Sequence, residues 1–188
     1  MQSLIVYVHP WDGSFNHALN ETVQTALKAK GNKVKVLDLY KDGFNPVMTS
    51  EDLKLFGQGE YNDPLAKDYV NNIKNADEII FIYPLWWYGE PAILSGFFDK
   101  VFLKGHVYKD GDNYNIVPLL NINKATVITT ASLTKDGLKT FGDPINKRII
   151  EGIFKMVGIN NVTWLHAGSV HKAEVRTNFI SEIKNHFQ

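Results

Sequence analysis

Short apolar runs alternate along this chain with stretches in which apolar residues recur every three or four positions. The runs are Leu4-Ile5-Val6-Tyr7-Val8, Val34 to Leu39, Ile79-Ile80-Phe81-Ile82-Tyr83, Ala125-Thr126-Val127-Ile128-Thr129, and a weaker one near Val162 to Leu165. Continuous β-rich runs of this length read as strands covered on both faces of a parallel sheet. Between them, Phe15, Leu19, Val23, Ala26 and Leu27 share one helical face, and Gly31 is a good stop. Ala66 to Ile73 is a shorter helix, entered through Asp63-Pro64 as cap and first-turn proline. Ile93, Leu94, Phe97, Phe98 and Val101 form a strongly apolar face that begins after Pro91. Ile145, Ile149, Ile150, Ile153, Phe154 and Val157 form another, ended by Gly158, and Val175, Phe179, Ile180 and Ile183 form the last.

This alternation predicts an α/β fold of five strands and five helices. A doubly wound parallel sheet in the flavodoxin-like order 2-1-3-4-5, with helices on both faces, fits that count better than a six-strand dinucleotide fold. The 188 residues suit one domain spanning 1–188, with no internal repeat or linker. Two long connections, Tyr40 to Asp63 and Gly105 to Lys124, stand out as functional loops.

Composition narrows the chemistry. Lysine plus arginine equals aspartate plus glutamate at 20 each, which argues against a non-specific nucleic-acid or anionic-membrane binder. The absence of cysteine removes disulfides, thiolate metal sites and thiol nucleophiles. The opening MQSLIVYVHP has no basic region ahead of its apolar run, and that run is too short to span a bilayer. A cytoplasmic protein without an integral membrane segment is the expectation.

Four segments carry candidate chemistry. His9-Pro10-Trp11-Asp12-Gly13-Ser14-Phe15-Asn16 joins the first strand to the first helix, where backbone N–H groups and the Ser14 hydroxyl suit a phosphate, and where His9 is either a further phosphate contact or a structural strand-end residue. An ordinary helix cap explains Ser14 or Asn16 about as well. Pro84-Leu85-Trp86-Trp87-Tyr88 follows the third strand, and three successive aromatics there suit either a flat ligand ring or packing at an interface. Thr129-Thr130-Ala131-Ser132 ends the fourth strand with small residues able to line a crevice or cap a turn. His106 and Tyr108 follow the third helix, with His106 a candidate proton donor or an ordinary solvated loop histidine, and Tyr108 a candidate pocket wall. No metal-binding or nucleophile-elbow motif is present.

The residues also carry a family resemblance. His9-Pro10 with Ser14-Phe15-Asn16 and Ala18, Tyr83-Pro84-Leu85-Trp86-Trp87 with Pro91-Ala92-Ile93-Leu94, Gly96-Phe97-Phe98-Asp99-Lys100-Val101-Phe102, Gly105-His106-Val107-Tyr108 and Ile128-Thr129-Thr130 occur in order over nearly the whole chain. In this the chain resembles the flavodoxin-like NAD(P)H:quinone oxidoreductases, a group that includes modulator-of-drug-activity and potassium-efflux ancillary proteins. The resemblance implies a homodimeric flavoprotein that passes a hydride from NAD(P)H to a quinone-like acceptor in a ping-pong cycle. It implies that Ser14, Phe15 and Asn16 hold the phosphate arm and that Pro84, Leu85, Trp86 and Trp87 flank the ring. Thr129, Thr130 and Ala131 would complete the cleft, with Tyr88 and Tyr108 facing substrate. The long animal members carry a tyrosine–histidine relay after the fourth strand; here Ser132-Leu133-Thr134-Lys135-Asp136 and Phe141 stand in its place. Little sequence remains to cover an adenosine, so FMN is expected over FAD. Two other readings remain open: a regulatory flavoprotein subunit on a membrane transporter or channel, and a flavodoxin-like electron carrier. The balanced charge weakens the second of these.

Overall fold

The computed structural model describes residues 1–188, the side chain of Tyr114 apart. Strands β1 (Gln2–Tyr7), β2 (Lys33–Asp38), β3 (Glu78–Pro84), β6 (Ala125–Thr130) and β7 (Val162–Ala167) form one parallel sheet in the order β2-β1-β3-β6-β7. All five predicted strands are present, and their spatial order is the predicted one. The three central strands are buried throughout apart from Gln2, whereas β2 and β7, at the edges, are only partly covered.

Alternation along the strands divides the core in two. Ile5, Tyr7, Ile80, Ile82 and Ile128 face α1 (Phe15–Ala29) and α7 (Ala173–Phe187). Leu4, Val6, Ile79, Phe81, Tyr83 and Val127 face α3 (Pro64–Lys74), α4 (Ala92–Val101) and a helical segment over Ile145–Phe154. That last segment is wound as a π-helix and runs into the single turn α6 (Lys155–Val157). Its end at Gly158 was legible because the residue there has φ 94, and a Cβ would sit 2.0 Å from the Leu120 carbonyl oxygen. Asp63 caps α3 as expected, its carboxylate accepting from the Leu65 N–H, with Pro64 in the first turn.

Both long connections contain structure that hydrophobic periodicity did not reveal. The first holds α2 (Ser50–Phe56), which buries no residue and is fixed by a Thr49–Asp52 capping box. The second holds a small antiparallel hairpin of β4 (Tyr108–Asp110) and β5 (Ile116–Pro118). A further short helix, α5 (Lys135–Thr140), buries only Leu138. Elements this short bury too little to leave an apolar period.

The apolar face of α4 is covered within this chain: Ile93, Leu94, Phe97, Phe98 and Phe102 are all buried. Phe81, Phe97, Phe98 and Phe154 meet ring to ring, and Phe44 and Tyr69 close the far side.

The connection before α3 is tied to α4 by Lys100. Its ammonium donates to the Asn45 carbonyl and the Asp63 carboxylate, at 3.0 and 3.1 Å, and lies 3.7 Å from Asp52. Removing one partner of a buried ion pair leaves uncompensated charge, a loss of about 3–5 kcal/mol when burial is complete. Asp63 retains some solvent, so Lys100→Met should destabilise the protein by about 3 kcal/mol in urea denaturation. A change below about 1 kcal/mol would show that these carboxylates do not depend on Lys100.

Candidate active site

The carboxyl ends of β1, β3 and β6 meet at the point where α1 and α4 leave on opposite faces of the sheet. A crevice at such a switch point follows from the topology.

Its first wall is the turn from β1 to α1. Ser14 caps the helix, its Oγ accepting from the His17 N–H at 3.1 Å. That leaves the Ser14 hydroxyl hydrogen, and the N–H groups of Phe15 and Asn16 have no acceptor within the helix. Asn16 is buried, and its Nδ2 donates to Thr130 Oγ1 at 2.9 Å, tying this turn to the end of β6. Its Oδ1 has no partner, and neither do the buried Oδ1 of Asn20 and the hydroxyl of Tyr7. Gly13 accommodates the indole of Trp11, which would lie 2.3 Å from a Cβ there. His9 Nδ1 accepts from the Trp11 N–H, and the imidazole meets Trp86 edge-on at 6.4 Å.

The second wall is the aromatic loop. Pro84 and Leu85 are buried, and the Leu85 N–H donates to the Thr130 carbonyl at 2.8 Å. The chain then reverses in a tight turn in which Trp86 and Gly89 exchange both backbone hydrogen bonds, at 3.0 and 3.1 Å. Trp87 and Tyr88 sit at its centre with φ of 51 and 65. Two successive left-handed residues define a type I′ turn, a place where asparagine and glycine are usual. Bulky residues there carry strain of order 1–3 kcal/mol each, and such strain clusters at functional sites. Trp87 is 96% exposed, so the loop does not exist to pack beneath α4. Tyr88 stacks on Phe141 with centroids 4.5 Å apart.

Between this turn and the end of β6 lies a cleft of about 440 Å³, lined by Leu85, Trp87, Tyr88, Ala131, Ser132, Leu133 and Leu138. Larger grooves exist, but the one between α1 and α7 is remote from the convergent polar groups. Ala131 lines the cleft as expected. Neither Thr129 nor Thr130 does: Thr130 turns toward α1, and the Thr129 hydroxyl, on the same face as Ala131, is buried against β7. There it accepts from Trp164 Nε1 and bonds His166 Nδ1, both at 2.8 Å, while His166 Nε2 bonds the Leu133 carbonyl at 2.8 Å. This chain supports the cleft wall from behind. Periodicity did not single out Trp164, His166, Leu133 or Leu138.

His106 and Tyr108 lie apart from the rest. Val107 accepts from Leu119 N–H, Leu120 N–H bonds Val157, and Ile122 pairs with Ile159 just ahead of β7. This places the segment toward the amino ends of the strands, opposite the cleft. Both ring nitrogens of His106 are engaged, one with Lys74 Nζ and the other with the Gly59 carbonyl. Within one chain, these two residues do not join the others.

Comparison with known proteins agrees with this architecture. The family model described as "Flavodoxin-like fold" matches residues 1–188. The chain is 33% identical over 174 residues to an uncharacterized NAD(P)H oxidoreductase of Haemophilus influenzae, covering 91% of this chain and 85% of that protein. The solved NAD(P)H:quinone oxidoreductase of Methanothermobacter marburgensis superposes with a TM-score of 0.90 at 26% identity, over 100% and 97% of the two chains. An FMN-dependent NADH-azoreductase of Bacillus anthracis, solved with FMN, superposes with a TM-score of 0.82 over 99% and 97%, a likeness of fold at 16% identity. The chain spans 53% of the length of the longer animal quinone dehydrogenases that it also matches. The chain belongs to the flavodoxin-like family of NAD(P)H oxidoreductases. No helix among the described residues is long and apolar enough to cross a membrane.

Three partly buried histidines set a pH dependence. Burial lowers the pKa of His9, His166 and His186 below 6.5. Below that pH the unfolded chain takes up protons that the folded chain refuses, so stability is full above about 6.5 and is lost as pH falls. Urea midpoints should therefore drop between about pH 7.5 and 5.5, and His166→Gln should flatten that slope. An unchanged slope would mean that His166 titrates normally in the folded protein.

Proposed function

We propose that this protein is a flavin-dependent NAD(P)H:quinone oxidoreductase that uses FMN and works as a homodimer. The observation that carries this reading is the cleft itself. A strained aromatic turn faces the end of β6, beside a helix N-terminus where Asn16 and Asn20 of α1 and Tyr7 of β1 each bury a polar atom without a partner.

The residues fit such a cofactor. Ser14 Oγ–H and the N–H groups of Phe15 and Asn16 would hold a phosphate at the positive end of the α1 dipole. No lysine or arginine lies in that turn, so backbone and dipole carry the anion. Pro84, Leu85, Trp86 and the Trp87-Tyr88 turn would flank the ring, with Thr130 and Ala131 below. His9 would brace the aromatic loop through Trp86. A bound flavin supplies two-electron hydride chemistry, with NAD(P)H and the acceptor using the cleft in turn. The chain's own part is to orient planar reactants and exclude water.

The cleft lining includes no histidine or carboxylate; its side-chain polar groups are the hydroxyls of Tyr88 and Ser132 and the indole N–H of Trp87. Phe141 stacks at its rim and cannot donate a proton. Tyr108 reaches such a cleft only from a second chain. A groove of about 280 Å³, lined by Tyr108, Ile116, Ile153 and Met156 with the charged Asp99 and Arg148 among others, offers a contact surface for one. A homodimer joined there would bring Tyr108 to the partner's site.

The purified protein should therefore be yellow and release FMN on denaturation. It should consume NAD(P)H with a quinone in the absence of any other protein. A folded protein that takes up neither FMN nor FAD in excess would refute this reading. Light scattering should give a dimer at micromolar concentration, and a flavin-loaded monomer would contradict the shared site. In stopped-flow, Tyr108→Phe should slow acceptor reduction by less than about tenfold, because solvent can supply the proton. A thousandfold loss with cofactor binding intact would make Tyr108 an essential acid. Trp87→Ala should do more than Tyr108→Phe, since it removes part of the ring's platform.

A further inference from the structure

The strained turn needs an anchor, and the residue after it provides one. Glu90 follows Gly89 directly, and only 4% of its side chain is exposed. Its Oε1 accepts from Arg148 Nε at 3.0 Å, from Arg148 Nη2 at 2.7 Å and from Ser95 Oγ at 2.6 Å. Burial pushes the Glu90 carboxyl up, and the bonds from Arg148 and Ser95 overcome it and hold the group below the usual carboxylate range. Glu90 also sits at the start of α4, where Pro91 offers no side-chain cap and a carboxylate is favoured by the helix dipole.

Arg148 lies within the π-helical segment Ile145–Phe154. Phe141, which stacks on Tyr88, lies just before the same segment. The turn is thus gripped at two points by one stretch of chain, through its ring at Tyr88 and through its exit at Glu90. π-Helical winding inside an otherwise ordinary helix is common at functional sites, because it shifts which side chains face a neighbour.

We propose that Glu90 and Arg148 are positioning residues that hold the Trp86–Gly89 turn in its left-handed conformation, and so set the shape of the cleft. Neither touches the cleft interior. Their effect passes through the backbone of Trp87 and Tyr88. Without the anchor, the turn relaxes toward conformations that large side chains prefer, and the platform for a flat ring is lost. This rests on the reading of the cleft as the flavin site only where it concerns the ring; the effect on the turn stands by itself.

The test uses the full-length protein freed of any cofactor, as wild type and as Glu90→Gln, Arg148→Met and Arg148→Lys. Chymotrypsin cuts after exposed aromatic residues, and Trp87 and Trp11 both qualify. In Glu90→Gln and Arg148→Met, cutting after Trp87 or Tyr88 should accelerate about tenfold, whereas cutting after Trp11 should change less than about twofold. Arg148→Lys should restore part of the protection that Arg148→Met loses. Equal acceleration at both places would mean general destabilisation and would overturn the proposal, as would unchanged cutting at the turn. Titration with FMN forms the second arm. Affinity should weaken about tenfold in Glu90→Gln, and unchanged affinity beside a wild type that binds FMN would also overturn the proposal. A wild type that binds no flavin would instead overturn the functional reading, and the cleavage pattern would then decide the role of the anchor.

Discussion

At the end of β6, two consecutive threonines point to opposite faces of the sheet, and the site depends on that alternation. Thr130 faces α1 and receives the Asn16 amide, which locks the β1–α1 turn against the sheet. Thr129 faces the other layer and joins Trp164 and His166, and His166 holds the Leu133 carbonyl and with it the cleft wall. The backbone of Thr130 then accepts from Leu85, which fixes where the aromatic loop begins. A one-residue slip of this strand would exchange the two side chains and lose all three attachments.

The same alternation explains why the fold was readable. Runs such as Ile79 to Tyr83 are buried on both faces, so they show as continuous apolar sequence and need no partner to be recognised. Helices against the sheet show a 3.6-residue period for the same reason. What lies outside the core left no such trace. Helices α2 and α5 and the β4–β5 hairpin bury one residue or none by side-chain pattern, and are set by caps and backbone pairing.

The candidate site divides along similar lines. Ser14, Asn16, Leu85 and Ala131 were legible because strand ends in this topology converge, so residue type and position together sufficed. Thr129 was grouped with them because a sequence gives position along a strand but not that Trp164 and His166 occupy its hydroxyl. His106 and Tyr108 were grouped by motif, while the backbone carries them to the opposite end of the sheet. Leu133 and Leu138 enter the cleft, and Arg148 reaches Glu90, through contacts formed only on folding. Phe141 was noticed as a departure from the family, and the structure gives it a contact, the ring of Tyr88.

Shape therefore dominates this cleft. Its lining is apolar and aromatic, and its attachments are hydrogen bonds to backbone and buried amides. The most direct measurement is a crystal structure of the protein with FMN bound. The account predicts the phosphate against the N–H groups of Phe15 and Asn16, and the ring between the Trp86–Gly89 turn and Ala131–Leu133. A ring bound elsewhere, such as the groove between α1 and α7, would contradict it.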